Sequence, residues 1–162
     1  MSKQKFSSRG AELPEFDMLS SERLSQIAAS ERLVFDFRTL SPGKFSFPFH
    51  FHRNAEELFY IISGKCSLRT PTGVSEIETG DLIHFESGPS GCHQLHNHTD
   101  KPCVYLDIRT FSGIDITEYP DSNKIALLPG IEVFQKESKS SYFKNEEKIA
   151  ERWKTLPKAV ES

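Results

Sequence analysis

The sequence predicts an all-β fold, an antiparallel sandwich or barrel with an arm before it and a short helix after it. Two observations support this prediction. Between residues 31 and 109, short runs of β-branched and aromatic residues follow one another without helical periodicity. Turn residues, mainly Gly, Pro, Ser and Asp, separate these runs. Strands spaced this closely leave no room for crossover helices, so we expect neighbouring strands to be antiparallel.

The chain divides into three predicted segments. Residues 1–30 are rich in Ser and Glu and form an N-terminal arm, with one short capped helix predicted over 20–29. Residues 31–112 form the β-domain and residues 113–162 form a C-terminal extension. The predicted strands of the β-domain are 31–40, 44–52, 56–62, 65–70, 74–78, 81–85, 92–98 and 103–109. The extension is predicted to contain a turn at 119–122, edge strands at 123–128 and 131–135, and a helix over 144–155.

The composition argues against several classes of function. The chain has 162 residues, a formal charge of −3 and a pI near 6.1, and no basic segment that would indicate nucleic-acid binding. Its apolar runs, such as Leu58–Ile62, are far shorter than the roughly 20 residues of a membrane helix. Cys66, Cys92 and Cys103 form no CxxC pair and are odd in number, which fits a reducing compartment. We therefore expect a soluble cytoplasmic protein that binds neither nucleic acid nor membranes.

Two alternate histidines and a following glutamate have the spacing of a metal site on a β-hairpin. Successive side chains of a strand point to opposite faces, so His50 and His52 share one face, about 6.6 Å apart along the strand. Glu57 lies on the next predicted strand, and its parity with Phe59 and Ile61 points it inward, across the hairpin from the histidines. Burying these groups inside a barrel is costly without compensation, and a divalent cation supplies it.

A second histidine cluster offers a further ligand. His93 and Leu95 share one parity, whereas His96 and His98 share the other, so only one set can face the core. The Gly88–Gly91 turn that leads into His93 favours His93. His96 and then His98 are the alternatives.

These residues resemble the motifs of the cupin superfamily of small β-barrels. The first motif, a glycine followed by HxH, Glu and Gly, is similar to Gly43, His50, His52, Glu57 and Gly64. The second motif, Gly, Pro-x-Gly, His and Asn, is similar to Gly80, Pro89, Gly91, His93 and Asn97. The resemblance covers about residues 31–112. It implies a double-stranded β-helix, or jelly roll, with a metal held by His50, His52, Glu57 and His93.

The implied cofactor is one divalent metal ion. Three imidazoles and a carboxylate suit Mn, Fe, Co, Ni, Cu or Zn, and cellular supply rather than ligand type selects among them. The carboxylate cancels one of the two positive charges, so the bound ion would keep a net charge of +1. Such an ion can polarise a carbonyl or chelate an oxyanion.

A row of four phenylalanines raises the question of a partner. If His50 and His52 face the ion, the alternate residues Phe45, Phe47, Phe49 and Phe51 face outward, unless a bulge at Pro48 resets the phase. Four exposed phenylalanines form a patch too large for a monomer surface. We therefore predict a homodimer, with burial by the chain's own tails as the alternative.

The resemblance implies a function in small-molecule chemistry. The leading interpretation is a metal-binding cupin that binds a small oxygen-bearing metabolite, of the sugar-phosphate isomerase, dioxygenase or decarboxylase type. One alternative is a non-catalytic binding or sensor module, and another is an interaction protein that uses its Phe face. No catalytic residue beyond the ligands is predicted. The polar candidates for substrate contact are Tyr60, Gln94, Tyr105 and Arg109.

Overall fold

The computed structural model describes Phe16, residues 28–155 and Pro157. Within these residues the chain forms eleven strands and one short helix. The elements are β1 (Leu33–Leu40), β2 (Phe51–His52), β3 (Glu57–Ser63), β4 (Lys65–Thr70), β5 (Gly73–Glu78), β6 (Leu82–Phe85), β7 (Gln94–His96), β8 (Cys103–Thr110), β9 (Asp115–Tyr119), β10 (Lys124–Leu128), β11 (Glu132–Gln135) and α1 (Ile149–Thr155). The predicted all-β class is confirmed.

The strands are arranged in three antiparallel sheets. Their orders are β1-β8-β3-β6, β11-β10-β9-β2 and β5-β4-β7. Isolated bridges from Phe45 to His96 and from His50 to His93 connect the segment around β2 with β7 and so join the second sheet to the third. The result is the predicted double-stranded β-helix, with the first sheet on one side and the joined sheets on the other.

The interior changes from apolar to polar along the strands. On β3, Ile61 and Phe59 lie in the apolar core, and Glu57 lies on the same face at the start of the strand. On β8, Cys103 and Tyr105 belong to the same core, and Asp107 follows. The remaining core residues are Leu40, Cys66, Leu68, Ile77, Phe85 and Leu95. The apolar end holds the two layers together, and the polar end is free to form a site.

Glycine is required where β3 turns into β4. Gly64 has a φ of 82°, and a Cβ placed on it would lie 2.5 Å from the backbone oxygen of Pro102. Both the left-handed backbone and the close approach exclude a side chain at this position. The turn predicted at Ser63 and Gly64 is therefore present and tightly packed.

The predicted strand over 44–52 is shorter in the structure. Residues 47–49 form a bend around Pro48, and only Phe51 and His52 belong to β2. Proline has no backbone N–H to donate, which explains why the ladder is interrupted here. The bend also changes the direction of the side chains before it.

The bend corrects the prediction of a single outward Phe face. Phe47 instead lines the internal cavity beside His50, with ring centroids 6.0 Å apart. Phe49 and Phe51 are buried with Cys92, and the Arg69 guanidinium covers the Phe49 ring at 3.8 Å.

Phe45 is covered in turn by the chain itself. It stacks on His96 with ring centroids 4.2 Å apart and contacts Phe16 of the arm. Residues of the β-domain cover Phe49 and Phe51, and burial by a tail, the alternative interpretation, is seen at Phe45, which contacts Phe16.

The C-terminal extension contributes a strand that was not predicted. β9 pairs with β2 and with β10, and so attaches the extension to the β-domain. The strands predicted at 123–128 and 131–135 are present as β10 and β11, but only β11 lies at an edge of the sheet, because β10 pairs with both β9 and β11. The turn predicted at 119–122 is a short 3-10 turn at Pro120–Ser122, between β9 and β10. The helix predicted over 144–155 is confined to α1. Of the helix predicted over 20–29, the structure describes only residues 28 and 29, which lie in a turn.

The three cysteines are free and buried. In the part of the chain that the structure describes, no helix is both long and apolar enough to cross a bilayer.

Candidate metal centre

His50 and His93 face each other across two paired strand segments. The His93 backbone N–H donates to the His50 carbonyl at 2.9 Å, and the His50 N–H donates to the His93 carbonyl at 3.2 Å. A 3-10 turn at Pro89–Gly91 precedes His93 and sets its position. A Cβ on Gly91 would lie 1.8 Å from the Glu86 carbonyl oxygen, so only glycine fits this turn. The reciprocal backbone bonds hold the two imidazole rings 4.7 Å apart.

Glu57 and His52 complete a compact group with these histidines. The nearest ligand atoms of His50, His52 and Glu57 all lie within 4.8 Å of one another. Glu57 Oε2 is 3.6 Å from His52 Nε2 and 3.1 Å from His93 Nε2. All four residues are buried, with at most 7% of their surface exposed.

Each histidine is anchored through Nδ1. The Nδ1–H of His50 donates to the Pro48 carbonyl at 2.9 Å, and that of His93 donates to the Gly91 carbonyl at 2.9 Å. The Nδ1–H of His52 donates to the Asp115 carboxylate, and Thr117 Oγ1 lies 3.3 Å from the same nitrogen. A neutral imidazole with its proton on Nδ1 has its lone pair on Nε2, the atom then available to a metal. Metal-binding histidines have this arrangement.

Two buried atoms at the centre have no hydrogen-bond partner among the described residues. They are Glu57 Oε2 and His93 Nε2. They lie 3.1 Å apart, and in a neutral His93 ring with its proton on Nδ1 the Nε2 atom is an acceptor, as Glu57 Oε2 is. Burying such atoms without a partner costs about 1–3 kcal/mol each. A divalent cation would satisfy both, and the donor set therefore fits a metal ion.

The protonation states also fit metal binding. Burial and the neighbouring His93 lower the pKa of His50 to about 3, so its ring is neutral near pH 7. Burial opposes the charge on Glu57, but interactions with His93, followed by His52 and His50, hold the pKa of its carboxyl well below the usual value. The centre therefore offers a neutral imidazole at His50 and a carboxylate at Glu57, the forms that bind metals.

Comparison with known proteins identifies the domain that carries this centre. A family model described as the cupin domain matches residues 37–109. These residues are a cupin domain. A comparison with curated proteins finds no match.

Solved structures share the fold of this cupin domain. A candidate sugar phosphate isomerase from Acidithiobacillus ferrooxidans is 22% identical, with a TM-score of 0.67, and the match covers 74% of this chain and 78% of that one. A cupin-superfamily sugar phosphate isomerase from Silicibacter pomeroyi is 23% identical, with a TM-score of 0.68, and the match covers 74% of this chain and 77% of that one. At these identities the similarity establishes the fold.

A cavity of about 360 Å³ is lined by three of the four residues, His50, His52 and Glu57. Its size is at the lower end of the range that small-molecule sites span. Its polar wall includes Arg38, Asp107, Arg109 and Tyr119. The extension also takes part, because Leu128, Pro129 and Ile131 line the same cavity.

The structure separates the three candidate histidines of the second cluster. His93 lies beside Glu57, as described above. His96 stacks on Phe45, and His98 lies 3.1 Å from Glu76 and 2.8 Å from Ser67 Oγ. Only His93 is therefore brought to the centre, on the face that parity predicted.

The polar candidates for substrate contact are also separated. Tyr105 is buried in the apolar core, and Tyr60 is 42% exposed on the outer side of its sheet. Gln94 donates to the Phe47 carbonyl at 2.9 Å. Arg109 alone among the four lines the cavity.

Asp107 and Asp115 were not predicted to belong to the site. Arg38 Nε donates to Asp107 at 2.6 Å, and Asp115 also accepts the backbone N–H of Asn54 at 3.0 Å. Burial and the charge of Glu57 raise the pKa of Asp107 to about 7, against the opposing effect of Arg38. The inward parity of Asp107 with Tyr105 on a predicted strand was a usable signal. No comparable signal existed for Asp115, because its strand was not predicted.

Proposed function

We propose that this protein is a metal-binding cupin that binds one divalent ion through His50, His52, Glu57 and His93. The observation that supports this most strongly is the pair of buried atoms, Glu57 Oε2 and His93 Nε2, for which the described residues supply no hydrogen-bond partner. The grouping of ligand atoms from His50, His52 and Glu57 within 4.8 Å of one another adds to it. Mn, Fe, Co, Ni, Cu and Zn all remain suitable occupants of such a ligand set.

The bound ion would act on a small metabolite that carries oxygen ligands. When bound, it would supply Lewis acidity, because one carboxylate leaves it a net charge of +1. The cavity in front of it is large enough for a metabolite and has an apolar wall from Phe47 and the extension. Both structural neighbours are named for sugar phosphate isomerase activity, which makes isomerisation of a sugar phosphate the first reaction to test.

Metal content tests the proposal. Untagged protein is purified without chelator, and its metals are measured by elemental analysis for wild type, His93→Ala and the matched control His96→Ala. We expect close to one ion per chain in wild type and in His96→Ala, and a large loss in His93→Ala. The proposal fails if wild-type protein neither carries a stoichiometric metal nor acquires one on incubation with Mn²⁺, Ni²⁺ and Zn²⁺.

A homodimer is also proposed, through a different face from the Phe row. Outward side chains of the first sheet form an apolar surface across four strands. They are Phe35, Phe37, Leu58, Tyr60, Leu82, Val104, Leu106 and Ile108. Phe37 is 50% exposed and Leu82 is 64% exposed. A second copy related by a two-fold axis would bury this surface.

The cytoplasmic location stays a prediction from the composition.

A further inference from the structure

The described residues supply no hydrogen-bond acceptor to one guanidinium in the cavity. Arg109 is half-buried and lines the cavity. Among the described residues it makes no side-chain hydrogen bond and no ion pair. Arg38 carries the other guanidinium of the cavity wall, and its Nε forms an ion pair with Asp107 Oδ2 at 2.6 Å. Because a half-buried guanidinium with its five donors unused is unfavourable, an acceptor from outside the chain would stabilise it.

The position of Arg109 places this charge beside the metal centre. Arg109 on β8 is the register partner of Glu57 on β3. Directly opposed residues of antiparallel strands have their side chains on the same face, with Cα atoms about 5 Å apart. Even so, Glu57 directs its carboxylate to His52 and His93 instead of Arg109. The guanidinium of Arg109 is therefore close to the proposed ion but is not paired with Glu57, the carboxylate ligand of that ion.

The balance of charge in the cavity depends on the metal. Its described wall carries three carboxylates, on Glu57, Asp107 and Asp115, and two guanidiniums, so its formal charge is −1 with neutral histidines. A divalent ion changes the formal charge to +1. Arg38 pairs with Asp107. Asp115 accepts hydrogen bonds from His52 and from the Asn54 N–H, and the charge of Arg109 also acts on it. With the ion bound, the wall keeps a net positive charge, to which the ion and Arg109 both contribute.

We infer that the ligand of this protein is a small oxyanion, a carboxylate or a phosphate, whose anionic group is held by Arg109 while another of its oxygens binds the metal. The inference rests on the proposed metal function. A guanidinium fork matches both anions with two parallel hydrogen bonds, and such bonds are about twice as strong as neutral ones. Phe47 and the extension residues Leu128 and Ile131 surround the rest of the ligand.

Binding of defined anions to protein of known metal content tests the inference. Metal loading with Co²⁺ is verified first by elemental analysis. Isothermal titration then measures binding of malonate, glycerol 3-phosphate and uncharged glycerol to wild type, Arg109→Gln, Arg109→Lys and the control Arg152→Gln, which alters an exposed arginine of α1. Visible absorption of the Co²⁺ reports whether the anion reaches the metal.

We expect wild type and Arg152→Gln to bind at least one of the two anions but not glycerol, and only when loaded. In Arg109→Gln the affinity should fall by about tenfold or more with metal content unchanged, and Arg109→Lys should lie between the two. The better ligand, malonate or glycerol 3-phosphate, identifies the anion as carboxylate or phosphate. Equal affinity in Arg109→Gln, equal affinity in metal-free protein, or no anion binding to loaded wild type would overturn the inference. Absence of metal from wild type would instead refute the proposed function.

Discussion

The three histidines of the centre are oriented from outside the site. Pro48 and Gly91 supply neutral carbonyl acceptors to His50 and His93, whereas His52 donates to a carboxylate. Burial opposes the charge on Asp115, but hydrogen bonds from His52 and from the Asn54 N–H hold the pKa of Asp115 below its usual value. Asp115 is therefore ionised at neutral pH. An anionic acceptor fixes the tautomer of His52 and increases the basicity of its Nε2 more than a carbonyl does.

The substitution Asp115→Asn tests this orienting role. It keeps the size of the side chain but removes the charge, so we expect metal affinity to fall by about 10- to 100-fold, with the fold retained. Competition with a chelator of known affinity measures the change, and circular dichroism checks the fold. Asp100→Asn, at an exposed position, is the matched control and should bind metal as wild type does. Unchanged affinity in Asp115→Asn would show that Asp115 does not tune the ligand.

Strand β9 explains which parts of the site the sequence could reveal. His50, His52 and Glu57 follow alternation on predicted strands, so parity placed them on one face. In the second cluster parity left two sets open, and the turn at Gly88–Gly91 favoured His93 over His96 and His98. Asp115 lies on β9, a short strand whose pairing with β2 spans more than sixty residues. Nothing local encodes that pairing, since strand formation here depends on the partner as much as on propensity. The irregularity at Pro48, in contrast, was stated as an alternative, because a proline cannot donate to the strand ladder.

The pairing of β2 with β9 also carries a charge network. Glu118, opposite Phe51 in the register, contacts Arg53 and Lys136. Burial opposes the charge on Glu118, but Lys136 and Arg53 hold the pKa of its carboxyl below its usual value. A carboxyl whose pKa is lower in the folded state stabilises the fold above its unfolded pKa, near 4.3. This contribution is lost as the pH falls through the folded pKa.

We expect Glu118→Gln to lower the free energy of unfolding at pH 7 by about 1 kcal/mol. The difference from wild type should shrink as the pH falls below about 4, because the wild-type carboxyl then becomes protonated. Urea unfolding at several pH values measures this difference in the free energy of unfolding. Glu132→Gln, on exposed β11, is the control. A difference that stays constant from pH 7 to pH 3 would contradict the charge-based account.

At the scale of the whole molecule, the barrel has an apolar interior at one end, a polar centre at the other, and an apolar outer face on its first sheet. The face continues in cross-strand rows, since Phe37 pairs with Leu106, Leu106 with Tyr60, and Tyr60 with Leu82. Charged substitutions in this row should therefore break a dimer without disturbing the core. Light scattering coupled to gel filtration should give a dimer mass for wild type and a monomer mass for Tyr60→Lys.

The control for that experiment is Val74→Lys. Val74 is 69% exposed on β5, which belongs to a different sheet. This variant should remain dimeric. A monomeric wild type at all concentrations tested would rule out the dimer, and a dimeric Tyr60→Lys would move the interface elsewhere.

We propose that three histidines and a glutamate hold one ion at the polar end of the barrel. Anomalous diffraction from crystals of protein loaded with Co²⁺ or Zn²⁺, collected on both sides of the metal absorption edge, tests it most directly. We predict a single anomalous peak at about 2.0–2.2 Å from His50 Nε2, His52 Nε2, His93 Nε2 and a Glu57 carboxylate oxygen. No peak at this position, or a dominant peak elsewhere, such as between His98 and Glu76, would contradict the account.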